Sequence, residues 1–142
     1  MLRDFEVNAV GPARLLQALW RGGLLGDGQG RRFVLITSSM GSIANLERES
    51  LPAISYGMSK AAANWWAKKV SIEFKDKGLL VGIIHPGWVK TRMGQTLADA
   101  IGFPEPPLTL EQSVTGVLEQ IDNLSPETSG KYLTWDGQQL PW

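Results

Sequence analysis

The sequence predicts a parallel α/β fold, and three observations carry that expectation. Phe33-Val34-Leu35-Ile36 and Leu79-Leu80-Val81-Gly82-Ile83-Ile84 are short, continuous apolar runs with β-branched members, the pattern of strands covered on both faces. Each run follows a stretch of helical periodicity, and a third helix and strand come after them. Helix, strand, helix, strand, helix, strand is the alternation that winds a parallel sheet between layers of helix. At 142 residues, 43% of them hydrophobic, residues 1–142 fit one domain with a modest single core.

The first helix is expected from about Arg3 to Trp20, with Phe5, Val10, Leu15, Leu16 and Leu19 on one face. Pro12 bears on it. Proline offers no N–H to the carbonyl four residues back, here that of Asn8, so either the helix kinks and leaves that carbonyl to another donor, or Gly11-Pro12 starts the helix afresh. The glycine-dense stretch from Gly22 to Gly30 follows a helix and leads into a strand, the reverse of the order that puts a phosphate at a helix N-terminus, and it reads as a connecting loop. The Phe33 to Ile36 strand ends at Thr37-Ser38-Ser39. Hydroxyls at the carboxyl end of a parallel strand are well placed for ligand chemistry, though serines there also cap turns.

After a polar loop from Asn45 to Ser50, the longest helix is expected from about Ser55 to Lys77, with Met58, Ala61, Ala62, Trp65, Val70 and Phe74 on a broad apolar face and Gly78 as its stop. Trp65 and Trp66 cannot both point inward, so one is expected at the surface. The Leu79 to Ile84 strand breaks at His85-Pro86-Gly87, and the stretch from Trp88 to Pro107 reads as a long, partly apolar connection, either a lid or a packed loop. Thr109-Leu110-Glu111-Gln112 has the form of a capping box, and Val114, Val117, Leu118 and Ile121 continue it as a helical stripe. A last strand is expected over 130–134, closed by the turn dipeptide Asp136-Gly137.

Composition narrows the function. Acidic and basic residues balance at 14 each, leaving no net field for nucleic acid or an anionic membrane. With no cysteine, thiol nucleophiles and thiolate metal sites are excluded, and with His85 the single histidine, so is a multi-histidine metal site. No apolar run approaches the length of a membrane span, and Met1-Leu2-Arg3-Asp4-Phe5 lacks the form of a signal peptide; a soluble, cytoplasmic protein is expected.

The stretch that carries chemistry is Tyr56-Gly57-Met58-Ser59-Lys60. On a helix the phenol and the ammonium share one face. A free tyrosine titrates at about 10, and bringing it to about 7 takes about 4 kcal/mol of preferential stabilisation of the phenolate, which a lysine and one further cation supply in a dry cleft. Alone, this spacing also fits an ordinary surface tyrosine and lysine.

Taken together, Asn8-Ala9-Val10-Gly11, Ser38-Ser39, Tyr56 to Lys60 and Pro86-Gly87 to Thr91, in that order and spacing, resemble the short-chain dehydrogenase/reductase family, most closely its C-factor-like and fungal ketoreductase-like members. The resemblance implies that Tyr56 is the general acid/base, Ser39 orients the substrate oxygen, and Lys60 lowers the Tyr56 pKa and holds the nicotinamide ribose. It implies that the Asn8 carbonyl holds a relay water to Lys60, and that Pro86, Gly87, Val89 and Thr91 line the nicotinamide and pyrophosphate end. NAD or NADP is the implied cofactor, with a lean to NADP, and the implied substrate is a small carbonyl or alcohol.

By the family's pattern the chain starts inside the fourth helix. It is expected to form the C-terminal half of a Rossmann-like, doubly wound sheet, three parallel strands with flanking helices, with one strand edge bare and the N-terminal dinucleotide-binding half absent. Two readings of function follow: an oxidoreductase of carbonyl and alcohol groups, or a remnant that binds a partner, including a second copy, through the bare edge or the 55–77 helix. A serine hydrolase using Ser39 with Lys60 or His85 fits poorly, because no Gly-x-Ser-x-Gly elbow is present.

Overall fold

Both apolar runs are strands, and each is slightly longer than its apolar part. The computed structural model describes residues 1–25, 30–48 and 51–142. Among them β1 (Arg31–Ile36), β2 (Leu79–His85) and β3 (Tyr132–Thr134) form one parallel sheet in the order β1-β2-β3. Arg31 is in register with Leu79 and Ile36 with Ile84, and β3 pairs Tyr132 with Ile83. The other edge of β1 has no strand partner among the described residues.

The helices are α1 (Leu2–Phe5), α2 (Gly11–Arg21), α3 (Ile54–Glu73), α4 (Arg92–Ile101) and α5 (Leu110–Asp122). Alternate strand residues Phe33, Leu35, Leu79, Val81 and Ile83 meet Ala63, Ala67 and Val70 of α3 and Leu16 of α2 in the core. The alanines let α3 approach the sheet closely. Each large aliphatic side chain buried here stabilises the fold by about 1.5–3 kcal/mol. The opposite face carries α5 and the adjoining Leu124, whose Cδ2 would lie 3.5 Å from a Cβ at Gly82.

The proline reading resolves into a widened turn. Helical backbone runs through from Leu2, but Glu6–Val10 is a π turn in which the Gly11 N–H bonds the Glu6 carbonyl five residues back. Widening there accommodates the N–H that Pro12 lacks, and a fresh start at Gly11 is not what forms. The middle of the glycine-dense loop, Gly26 to Gln29, lies outside the described residues, as do Glu49 and Ser50 of the polar loop.

α3 ends at Glu73, short of the expected Lys77. A 3-10 turn over Lys75–Lys77 then leads to Gly78 at φ 74°, the left-handed stop that glycine tolerates. Trp66 sits edge-on to Phe33 at 5.8 Å, while Trp65 is 69% exposed, so the pair divides as expected.

The connection after β2 is more regular than its glycines and prolines suggest. α4 starts at an N-cap in which Thr91 Oγ1 accepts from the Gly94 N–H at 3.1 Å. Gly94 is needed because a Cβ there would lie 2.1 Å from the Val89 carbonyl oxygen. The capping box of α5 forms in both directions, Gln112 N–H to Thr109 Oγ1 at 3.2 Å and Thr109 N–H to Gln112 Oε1 at 3.0 Å. β3 is shorter than expected: the Gly130 N–H still reaches the Val81 carbonyl of β2, but the Lys131 N–H turns back to the Thr128 carbonyl. The Asp136-Gly137 turn reverses the chain, and Thr134 N–H bonds the Gln138 carbonyl at 2.8 Å.

Candidate active site

The carboxyl ends of β1 and β2 and the first two turns of α3 converge on one cleft. Ser38 continues β1 with extended backbone, φ −154° and ψ 145°, and Ser39 begins a 3-10 turn over Ser39–Gly41. α3 begins just before Tyr56 and presents Tyr56 and Lys60 one turn apart, with Lys60 Nζ 5.5 Å from the centre of the Tyr56 ring. Lys60 Nζ also donates to the Ile36 carbonyl at 3.0 Å.

Ser38 bears on the titration of the Tyr56 phenol. Burial raises the Tyr56 pKa above its ordinary 10, and a side-chain hydrogen bond with Ser38 opposes that rise. Lys60, with Nζ 5.5 Å from the ring centre, is not a cause of either change. In the chain without ligand the phenol is therefore held protonated, the reverse of the depression expected from a neighbouring lysine. Burial likewise lowers the pKa of Lys60.

Asn8 meets the site through α3. Its Nδ2 donates to Ser59 Oγ at 3.0 Å, and the Ser59 hydroxyl donates to the Tyr56 carbonyl at 2.7 Å. Asn8 thus braces the turn that carries Tyr56 and Lys60. Thr37, deep in the same place, donates to Asn64 Oδ1 of α3.

Past β2 the four expected cofactor residues follow one another along the chain. Ser113 Oγ donates to the Pro86 carbonyl at 2.6 Å. Gly87 has φ 83°, and a Cβ on it would lie 2.7 Å from Leu108 and 3.0 Å from Trp135. Val89 bridges to Leu108, and the Thr91 hydroxyl is used as the α4 cap. Trp88 packs on Phe103 at 5.3 Å, and Lys90 pairs with Glu105 at 2.6 Å, which holds α4 and its following loop over this end.

His85 stands between the two halves of the cleft. Its Nδ1 is buried with no hydrogen bond among the described residues, and burial pushes its pKa down to about 4. It is neutral near pH 7 and unpaired, not the oriented base a hydrolytic serine needs. Among the described residues no group of three His, Cys, Asp or Glu side chains gathers to hold a metal, and no helix is long and apolar enough to cross a membrane.

A family model described as Enoyl-(Acyl carrier protein) reductase matches residues 1–106. The chain is 38% identical to C-signal of Myxococcus xanthus over 142 residues, covering 78% of that protein, and 40% identical to norsolorinic acid ketoreductase of Aspergillus parasiticus over 139 residues, covering 50% of it. Among solved structures it is similar to an NADPH-bound carbonyl reductase from chicken fatty liver, with a TM-score of 0.82 and 32% identity, covering all of this chain and 58% of that one. An NADP complex of a carbonyl reductase from Pseudomonas aeruginosa matches with a TM-score of 0.73 and 30% identity, covering 54% of that chain. Apart from C-signal, these relatives are about twice as long as the part this chain matches.

Fold and relatives together define an oxidoreductase lineage on a Rossmann-like sheet. The chain belongs to the short-chain dehydrogenase/reductase family.

Proposed function

We propose that this chain serves NAD(P)-dependent hydride transfer to or from a carbonyl or alcohol, with Tyr56 as the general acid/base. The observation that carries the reading is the close packing of the Ser39–Gly41 turn on the start of α3, where a Cβ at Gly57 would lie 3.0 Å from the Met40 carbonyl oxygen, which brings the serines at the carboxyl end of β1 to the helical turn of Tyr56 and Lys60. Ser39 would orient the substrate oxygen, as the resemblance implies, and Ser38 would tune the phenol. A phenol kept protonated by burial is poised to donate to a carbonyl oxygen while the adjoining carbon gains hydride, the reductive direction.

The donors present fit the nicotinamide end of a dinucleotide: a lysine ammonium, a phenol, and a buried His85 Nδ1 with no partner among the described residues. Reduced nicotinamide supplies the hydride when bound. Lys60 would hold the ribose hydroxyls, and Pro86, Gly87, Val89 and Thr91 would line that end. Asn8 would keep the Lys60 turn in place through Ser59 and offer its carbonyl to a relay water. NADP is favoured over NAD because the solved relatives above carry NADPH or NADP. A cytoplasmic location fits a chain without cysteine.

The test is turnover of a small ketone with NADPH by the 142-residue chain, alongside NADPH quenching of its tryptophan fluorescence. Saturable quenching and turnover that Tyr56→Phe abolishes are expected. Full activity in Tyr56→Phe would defeat the assignment.

A second reading, a module that binds another chain instead of catalysing, is favoured by the unpaired edge of β1. It gains if a folded chain shows no quenching at millimolar NADPH. Self-association has a second candidate surface in the outward stripe of α3, where Met58, Trp65 and Ile72 are exposed at seven-residue spacing. Sedimentation of the chain and of Trp65→Ser reads it directly: equal masses would remove that surface from consideration.

A further inference from the structure

Tyr132 is wholly buried on β3, and its phenol donates to the carbonyl oxygen of Ser38. The bond crosses the sheet, because β2 lies between β3 and the strand that ends at Ser38. Phenylalanine would fill the same space, so the hydroxyl contributes something other than volume. Ser38 is held at both oxygens: its carbonyl takes the Tyr132 phenol and the Gly41 N–H at 2.9 Å, and its hydroxyl oxygen takes the Met40 N–H at 3.3 Å.

The end of the chain keeps Tyr132 and this loop together. Leu140 N–H bonds the Tyr132 carbonyl at 2.8 Å, and the Trp142 ring stacks on Tyr132 at 5.2 Å. From the other side Ser42 Oγ donates to the Pro141 carbonyl at 2.8 Å, and Ala44 N–H donates to the Trp142 carbonyl at 2.9 Å. Leu140, Pro141 and Trp142 therefore grip both the phenol and the segment that follows Ser38. Lys68 of α3 lies over the Trp142 ring at 5.9 Å and donates to the Gly130 carbonyl at 3.0 Å, closing the tail against α3.

We propose that Tyr132, braced by the Leu140-Pro141-Trp142 tail, is a positioning residue that holds Ser38 and the turn after it against the start of α3, where a Cβ at Gly57 would lie 3.0 Å from the Met40 carbonyl oxygen and Tyr56 is the residue before. It acts through Ser38 and touches no substrate. The inference rests on the reading of Ser38 as the residue that tunes the Tyr56 phenol, and the end of the chain becomes part of the site's support.

The 142-residue chain has only two tyrosines, Tyr56 and Tyr132, so labelling the ring carbon that bears the hydroxyl gives two separable resonances. In Tyr132→Phe the remaining Tyr56 resonance should shift in the direction that Ser38→Ala shifts it. The Met40 and Gly41 amides should exchange about tenfold faster while amides of β1 and β2 keep their wild-type rates. Wild-type exchange at Met40 and Gly41, or a uniform acceleration of every amide, would overturn the proposal, the latter showing that Tyr132 only supports the core.

If Tyr132→Phe fails to fold, Trp142→Ala at the exposed terminus is read in the same way, faster Met40 and Gly41 exchange supporting the brace and wild-type rates overturning it. Failure of the underlying pair is separate. It shows as a Tyr56 resonance that Ser38→Ala leaves unmoved, whatever the Tyr132 variant does.

Discussion

Lys60 Nζ donates to the Ile36 carbonyl at 3.0 Å, so the residue that faces the Tyr56 ring also fastens α3 to the carboxyl end of β1. The two duties can be separated. Lys60→Met keeps the apolar stem and removes the charge; NADPH binding followed by fluorescence is expected to weaken at least about tenfold. Stability in urea should fall by at most about 1 kcal/mol, because Ile36 is 44% exposed and water can replace the lost donor. Unchanged NADPH affinity would remove Lys60 from the binding role.

The two serines after β1 are expected to behave differently. Ser38→Ala removes the hydrogen bond that opposes the rise in the Tyr56 pKa, so the phenol should titrate higher still, and turnover should fall by about a hundredfold. Ser39→Ala should leave the Tyr56 titration unmoved while turnover falls by about a hundredfold. Phenolate absorbance against pH and NADPH oxidation rates measure the two effects, and an unmoved titration in Ser38→Ala or full turnover in Ser39→Ala would contradict the assignment.

Stability should depend on His85 as pH falls. Its folded pKa lies near 4, below the ordinary 6.5, chiefly through burial, with Asp136 acting against the shift and Lys60 adding to it. The unfolded chain therefore takes up this proton first. The contribution is fully present above pH 6.5 and is lost as pH falls through about 4, to a total of about 3 kcal/mol. His85→Gln should flatten that decline when urea midpoints are compared near neutrality and near pH 4, and an unaltered decline would show that other groups cause it.

The α5 cap gives a local check. Thr109→Ala removes the oxygen that accepts the Gln112 N–H and should cost about 1 kcal/mol in urea unfolding, with NADPH binding unaffected. A loss of binding in this variant would mean that α5 carries more of the cleft than its place behind Pro86 suggests.

Features set by short-range patterns were legible in the sequence. Continuous apolar runs marked β1 and β2, the Thr109 and Gln112 pair marked the start of α5, and adjacent tryptophans had to divide between core and surface. α4 was hidden because Gly94 and Gly102 break its pattern, although Gly94 is there for close contact with Val89 and Gly102 for a left-handed stop. Tyr56 and Lys60 could be paired from their spacing. That the chain stays extended through Ser38 before the 3-10 turn begins could not be read that way, since both serines suit a turn. The link from Asn8 to Ser59 and that from Tyr132 to Ser38 join residues far apart in the chain, and no local pattern announces them.

The parallel register also makes the central pairing of the sheet a long-range one. Every residue of β1 finds its β2 partner only after the whole of α3 has been traversed, so the ladder cannot zip up from a hairpin. A closed loop that long is entropically costly until something bridges it, and the small residues Ala63 and Ala67, wholly buried against the strands, are the ones positioned to do so. α3 therefore bridges the loop it spans as well as presenting the site: the helix that carries Tyr56 and Lys60 also ties β1 to β2.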